Sequence, residues 1–318
     1  MRYAESRRPW VMTMLLCGSV LAPAFAQESP SAQDGPHKVF SSRSEVVLVH
    51  ASVLDGKSHL VSGLPQTAFK VFENGQPQPI TFFHNQDNPV TVGLVLDCST
   101  SMQRKRDAVI AAGLAFAESS HPADEMFTVN FNEQVWSGLP PSVPFTHDVE
   151  QLRGALQRTT ARGKTALFDA VRVALDHLAR GQRQKKVLIL VSDGGDNAST
   201  AKFDDVLHAA QQSGAVVYAL SLSDQYDDEA DPDVLRKLTN ATGGKAYFAD
   251  NPSDSTAVLT GIAHDIRSGY TIGYVPPSGG DGYRTIRIEA RAPDGRALAV
   301  RARTGYVAGA LAARHDRQ

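Results

Sequence analysis

Residues 92–102 read V-G-L-V-L-D-C-S-T-S-M, from Val92 to Met102. A short run of Val and Leu bounded by polar residues marks a strand buried on both faces of a sheet. The run stops at Asp97. Cys98, Ser99, Thr100 and Ser101 follow, and beyond Gln103-Arg104-Lys105 a helical pattern begins. A buried strand therefore delivers one carboxylate and several hydroxyls into a strand-to-helix loop. In an open α/β sheet such loops lie at the carboxyl ends of the strands, where ligands bind. A phosphate loop needs glycines for close backbone approach, and there is none between Asp97 and Met102,. Carboxylate and hydroxyl oxygens suit a hard divalent cation instead.

Two more stretches share this character. Gly163 to Ala170 reads G-K-T-A-L-F-D-A, with Thr165 just ahead of the clearest helical stripe in the chain. Taken alone, Thr165 reads as a helix N-cap, a place that Thr fills well. Val187 to Asn197 reads V-L-I-L-V-S-D-G-G-D-N, a second buried strand ending on an aspartate. Taken alone, Asp193 reads as a turn residue. In this order, the D-x-S-x-S of residues 97–101, the lone Thr165 and Asp193 resemble the metal-ion-dependent adhesion site of von Willebrand factor type A domains. Met102 and the S-D-G-G-D-N run strengthen that likeness, which covers residues 89 to about 267. The flanks resemble the secreted bacterial VWFA-related proteins, known chiefly from acidobacteria. The segments concerned are Val53 to Gly56, Phe69 to Gln78, and Tyr270 to Tyr274 with Gly305-Tyr306.

The resemblance implies a doubly wound, mostly parallel, Rossmann-like sheet of strand order 3-2-1-4-5-6. The strands ending at Asp97 and Asp193 are then neighbours at the reversal of order, where a crevice opens. It further implies that Asp97, Ser99, Ser101, Thr165 and Asp193 hold one divalent ion, some directly and some through water. Mg²⁺ suits so short a donor set, with Mn²⁺ or Ca²⁺ as alternatives. Two carboxylates only balance the ion's charge, so a partner's Glu or Asp can complete the shell. Asp196 is read as a residue behind the ligands or a helix cap, not as a ligand.

The surrounding chain alternates strands and helices. Apolar stripes at helical spacing run through Ile110, Gly113, Leu114 and Ala117, and through Leu167, Ala170, Val171, Ala174, Leu175 and Leu178,. Two others run through Phe203, Val206, Leu207 and Ala210, and through Leu259, Ile262, Ala263 and Ile266. Between them lie strand runs at 127–131, 187–191, 216–222 and 245–248. This alternation implies a mostly parallel sheet covered on both faces. On either side the pattern turns β-rich. Residues 45–54 and 69–72 read as strands, Asn74-Gly75 is a hairpin turn signal, and 80–83 follows,. Tyr270 to Tyr274 is a strand, and 286–290 with 298–302 read as a hairpin around Pro293-Asp294-Gly295. A lone hairpin is marginal in water. The expected organisation is therefore an α/β domain, 89–267, inserted in a discontinuous β-sandwich-like domain made of 39–88 and 268–308.

The chain begins with Arg2, Arg7 and Arg8, an apolar run from Val11 to Ala22, and Ala24-Phe25-Ala26. This is the order of a signal peptide, 1–26, cleaved after Ala26, with a polar linker at 27–38. Ser6 to Trp10 also resembles a twin-arginine signal, although Val11-Met12 departs from it. A lipoprotein reading of Cys17 is opposed by Leu16. The expected compartment is periplasmic or extracellular, with no stable membrane span after cleavage. A polar tail, 309–318, is read as disordered. Cys98 is then the sole thiol, read as a small buried residue. The formal charge of −2, with 21% charged residues, gives no basic field for nucleic acid,.

The function expected is a secreted, non-catalytic, metal-dependent protein-binding module. A metal-dependent hydrolase is the competitor from another class. It lacks H-E-x-x-H, G-x-S-x-G and any histidine near the three loops,. A structural scaffold with a vestigial site is the third reading.

Overall fold

The computed structural model describes residues 46–158, 161–222, 230–277 and 282–308. The signal, linker and tail readings lie outside the described residues. Four short strands come first: β1 (Val47–Leu54), β2 (Phe69–Glu73), β3 (Gln76–Gln78) and β4 (Phe82–His84). The alternating stretch follows as β5 (Val90–Asp97), α1 (Arg106–Ser119), β6 (Glu125–Phe131), β7 (Val135–Ser137) and α2 (Val149–Gln157). It continues with α3 (Leu167–Leu178), β8 (Lys185–Val191), α4 (Phe203–Ser213), β9 (Val216–Ser221) and α5 (Pro232–Thr242). It closes with β10 (Ala246–Phe248) and α6 (Ser255–Ser268). Four more strands end the described chain: β11 (Tyr270–Tyr274), β12 (Gly282–Arg291), β13 (Ala297–Ala302) and β14 (Gly305–Ala308).

The middle stretch builds a six-stranded sheet ordered β10-β9-β8-β5-β6-β7. Read from β7 and numbered within that sheet this is 3-2-1-4-5-6, and only β7 runs antiparallel. All eight residues of β5 are buried, because apolar side chains leave both faces of a central parallel strand,. Val92, Leu94 and Leu96 join a core with α1, α2 and α6, whereas Val95 joins Leu188 and Leu190 in a second core against α3, α4 and α5. Gly93 is required by close packing. A Cβ there would lie 2.5 Å from Phe127 and 2.6 Å from Leu188 side-chain atoms.

The flanking strands form one hydrogen-bonded antiparallel sheet, β3-β2-β12-β13-β1-β11-β4, with β14 on β12. Hydrogen bonding joins all eight strands, β13 pairing with β12 near one end and with β1 at the other, so the expected sandwich is not seen as two separate sheets. The sheet instead rolls over its own core. Phe69 on β2 meets Phe83 on β4 with ring centroids 5.4 Å apart, although these strands stand near opposite ends of the order. Tyr270 completes the cluster, 4.8 Å from Phe69. Because one face of a strongly coiled sheet can line a closed interior, it does the work expected of two layers. Glu73 is buried in the roll, where Tyr274 and Tyr306 hydroxyls donate to its Oε2 at 2.7 and 2.9 Å. Arg284 donates to its Oε1 at 2.8 Å.

The Asn74-Gly75 turn forms the β2–β3 hairpin, with φ of 49° and 79° as its twist demands,. The expected 286–302 hairpin pairs only near its turn, at Ala290–Leu298 and Arg291–Ala297. Beyond that point β13 leaves to pair with β1, which is also paired with β11. Chain segments from before and after the α/β stretch therefore interleave in one sheet. Asp265 on α6 ties this sheet to the parallel one. Ser52 on β1 donates to it at 2.7 Å, and Arg301 on β13 donates to its other oxygen.

Candidate metal centre

Strand register brings the first and third loops together. Leu96 pairs with Val191 across the β5–β8 boundary, so Asp97 and Ser192 emerge side by side at the carboxyl ends. Ser192 Oγ donates to Asp97 Oδ2 at 2.7 Å, and the Ser99 N–H donates to Asp97 Oδ1 at 2.8 Å. Ser99 Oγ and Ser101 Oγ are 3.1 Å apart, and Ser101 Oγ donates to Asp193 Oδ2 at 2.7 Å. The Gly195 N–H donates to Asp193 Oδ1 at 3.1 Å. Residues almost a hundred positions apart thus share one continuous patch of oxygens. Asp97, Ser99, Thr165 and Asp193 are buried, and Ser101 is exposed at the mouth.

The second loop is held from both sides through its backbone. The Thr100 N–H and hydroxyl both donate to Gly163 O, at 3.2 and 3.1 Å. The Thr165 N–H donates to Asn197 Oδ1 at 2.8 Å, while Thr165 O accepts from the Asn197 and Ala198 N–H groups at 3.0 Å each. Asn197 and Thr165 thus clasp each other.

Read alone, Thr165 suggested a helix cap, and the structure corrects this. The residue preceding α3 is Ala166, which has no side-chain cap. Capping comes instead from the third loop. Asp196 Oδ2 accepts from the Phe168 N–H at 2.9 Å, and Ser199 Oγ accepts from the Asp169 N–H at 3.1 Å. The Asp169 carboxylate in turn accepts from the N–H groups of Thr200 and Ala201. Asp196 is accordingly a helix cap supplied by another loop, and capping does not account for a threonine at 165. Ser192, Asn197 and Ser199 escaped the sequence reading, although all three lie within or just beyond the S-D-G-G-D-N run that exposed Asp193. Cys98 is buried, with its Sγ 3.6 Å from Leu96 O.

The electrostatics are one-sided. Burial pushes the Asp97 carboxyl up to about 6, Asp193's charge pushes the same way, and hydrogen bonds from Ser99 and Ser192 partly offset both. Among the described residues no Lys, Arg or His forms an ion pair with Asp97 or Asp193. Nor does any group of three His, Cys, Asp or Glu side chains among them converge as an alternative metal cage. Two buried carboxylates beside hydroxyl oxygens, with no cation against them, fit a hard divalent ion.

A doubly wound sheet with an oxygen-lined loop cluster at its switch point defines the class of protein. Residues 92–195 match the family model of the von Willebrand factor type A domain, and the chain contains a domain of that family. A von Willebrand factor type A structure from Catenulispora acidiphila is similar, with TM-score 0.50 at 15% identity. The match covers 83% of this chain and 75% of that one, more than the α/β stretch alone supplies. The vWF domain of a type V pili tip protein from Porphyromonas gingivalis matches at TM-score 0.48 and 14% identity, over 56% of this chain and 95% of that one. An uncharacterized protein of Synechocystis sp. is 24% identical over 187 residues, which span 54% of this chain and 40% of the relative.

Proposed function

We propose that this is an exported, non-catalytic binding module that grips an acidic side chain of a protein partner through a divalent ion. The ion, Mg²⁺ by preference with Mn²⁺ or Ca²⁺ as substitutes, is held by Asp97, Ser99, Ser101, Thr165 and Asp193. The observation that carries this reading is the pair of buried carboxylates with no cationic side chain ion-paired to them among the described residues. Asp97 and Asp193 supply two negative charges. Ser99 and Ser101 add neutral oxygens, which here donate to one another or to Asp193 and can instead turn lone pairs outward,. Thr165 is fixed by the Asn197 clasp, so its hydroxyl is carried on an immobilised backbone. When bound, the ion supplies a positive centre that satisfies the two carboxylates and still attracts a third from outside.

The loop serines donate to carboxylates and no histidine stands near them in the sequence, which supports binding over turnover,. The basic and apolar segment of residues 1–26 supports export. Among the described residues no helix is long and apolar enough to cross a membrane. The interleaving of β1 with β11 and β13 supports treating 39–88 and 268–308 as one unit that carries the module at 89–267.

Calorimetry with Mg²⁺ and Mn²⁺ tests the site. Asp97→Ala should abolish binding, and Ser99→Ala should weaken it less, because only the former removes charge. A pull-down from the exported fraction should lose its partner on adding EDTA. Wild-type protein that is folded by circular dichroism and binds neither ion would refute the proposal.

A further inference from the structure

A second polar site lies away from the three loops, at the opposite, amino-terminal end of the parallel strands. A cavity of about 150 Å³ opens there between the two sheets. His84 on β4 contributes one wall; Arg183, Gln184 and Lys185, at the start of β8, contribute another. Gln86 and Asn88, both exposed, stand at the rim. By the share of liquid volume that a water takes, the space admits about five waters, enough for a small oxyanion that keeps part of its hydration.

The chemistry of the walls is unusual in one respect. Among the described residues, two cations and an imidazole line the cavity, and no carboxylate does. His84 Nε2 and Arg183 Nε are buried without a hydrogen-bond partner among the described residues. Arg183 Nε lies 3.6 Å from Glu125 Oε1, an ion pair too long to be a hydrogen bond,. Lys185 donates to Ile266 O at 2.5 Å, which leaves two further N–H groups on the ammonium,. Burial holds its pKa down to about 8, against the pull of Asp265, Asp87 and Asp124. An unpartnered imidazole nitrogen and an unpartnered guanidinium N–H beside two cations are what an oxyanion satisfies, by charge-assisted hydrogen bonds once the imidazole presents its N–H,.

We propose that this cavity is a binding site for a small oxyanion, a phosphate or a carboxylate, held by His84, Arg183 and Lys185 at the seam between the sheets. Such a ligand contacts β4 of the rolled sheet and β8 of the parallel sheet together. Its binding therefore braces one layer against the other. The site is independent of the three loops and of any metal held there.

Thermal unfolding and calorimetry in EDTA test it, with sodium phosphate and sodium acetate as probes and sodium chloride at matched ionic strength as the reference. EDTA removes the metal from the three loops, so an anion cannot score by ligating it. Saturable binding of either probe, with a rise in melting temperature that chloride does not give, is expected. The stronger of the two probes assigns the anion's source. Lys185→Gln and His84→Gln should each lose about tenfold in affinity, the worth of one charge-assisted hydrogen bond. Asp97→Asn should bind like wild type. His84→Gln leaves the Lys185–Ile266 bond in place, so it serves if Lys185→Gln folds poorly. A response equal to that of chloride, or wild-type affinity in His84→Gln, would overturn the proposal.

Discussion

Asp97→Asn separates a carboxylate built for a cation from one built into the scaffold. The change is isosteric. The amide keeps an oxygen to accept from the Ser99 N–H and offers an N–H to Ser192 Oγ, which can turn to accept it,. What disappears is a buried charge. The carboxyl titrates near 6 in the fold against an ordinary 3.8, a rise of about 2 units, or roughly 3 kcal/mol,. Because the folded value is raised, protonation favours the fold. Wild-type protein should therefore lose stability as the pH climbs from about 4 through 6, and the loss persists above that. In EDTA at pH 7.5, Asp97→Asn should be the more stable protein by up to roughly 3 kcal/mol. At about 2–4 °C per kcal/mol for a large domain, its melting point should sit several degrees higher. Below pH 4 the two should converge. Adding Mg²⁺ at pH 7.5 should raise the wild-type melting point and leave the variant unmoved, reversing the order. Calorimetric scans at the two pH values, with and without Mg²⁺, read all of this. A variant less stable than wild type in EDTA at pH 7.5 would mean that the carboxylate is a structural acceptor, and the reasoning would fail.

Asn197→Ala changes none of the proposed ligands but removes the side-chain half of the Thr165 clasp. Mg²⁺ affinity should fall by about tenfold or more, as for other residues that orient ligands, and calorimetry showing an unchanged constant would remove Asn197 from that role. Glu73→Gln keeps one oxygen for the two tyrosine hydroxyls but turns an amide NH2 toward Arg284, which loses both its countercharge and its acceptor,. Urea unfolding should show a loss of about 2–4 kcal/mol, and a negligible loss would show that the network does not hold the roll together. Gly93→Ala drives a methyl into Phe127 and Leu188 at the centre of the parallel sheet. A destabilisation of about 1–3 kcal/mol is expected from overpacking, and wild-type stability in the same assay would show that the two side chains yield freely.

Much of the molecule was legible in the chain because the deciding signals are local. Buried parallel strands are continuous apolar runs, so β5 and β8 and the aspartates that end them could be read residue by residue. The stripes of α1, α3, α4 and α6 follow from helical spacing, and Asn74-Gly75 fixes its hairpin because few other residues tolerate positive φ. α5 was missed because its buried face uses Thr239 and Thr242 beside Leu235 and Leu238, so the stripe does not read as apolar. Its ends carried the missing signal: Asp231 caps it, Pro232 opens it and Gly243 closes it in the left-handed region,. α2 was missed for want of length, its buried face being only Leu152, Ala155 and Leu156. Other features depend on which distant segments meet. One-dimensional patterning states that a strand has an apolar face but not what that face will cover. Hence the flanking strands looked like a sandwich, yet β13 departs from β12 to join β1 and closes one sheet over a single core. For the same reason Thr165, which taken alone suggests a cap, does not cap the helix: Asp196 and Ser199, some thirty residues onward, do so in its place. The walls of the seam cavity come from residues a hundred positions apart. No periodicity records such a meeting, because burial and charge compensation are properties of the packed neighbourhood and not of the chain.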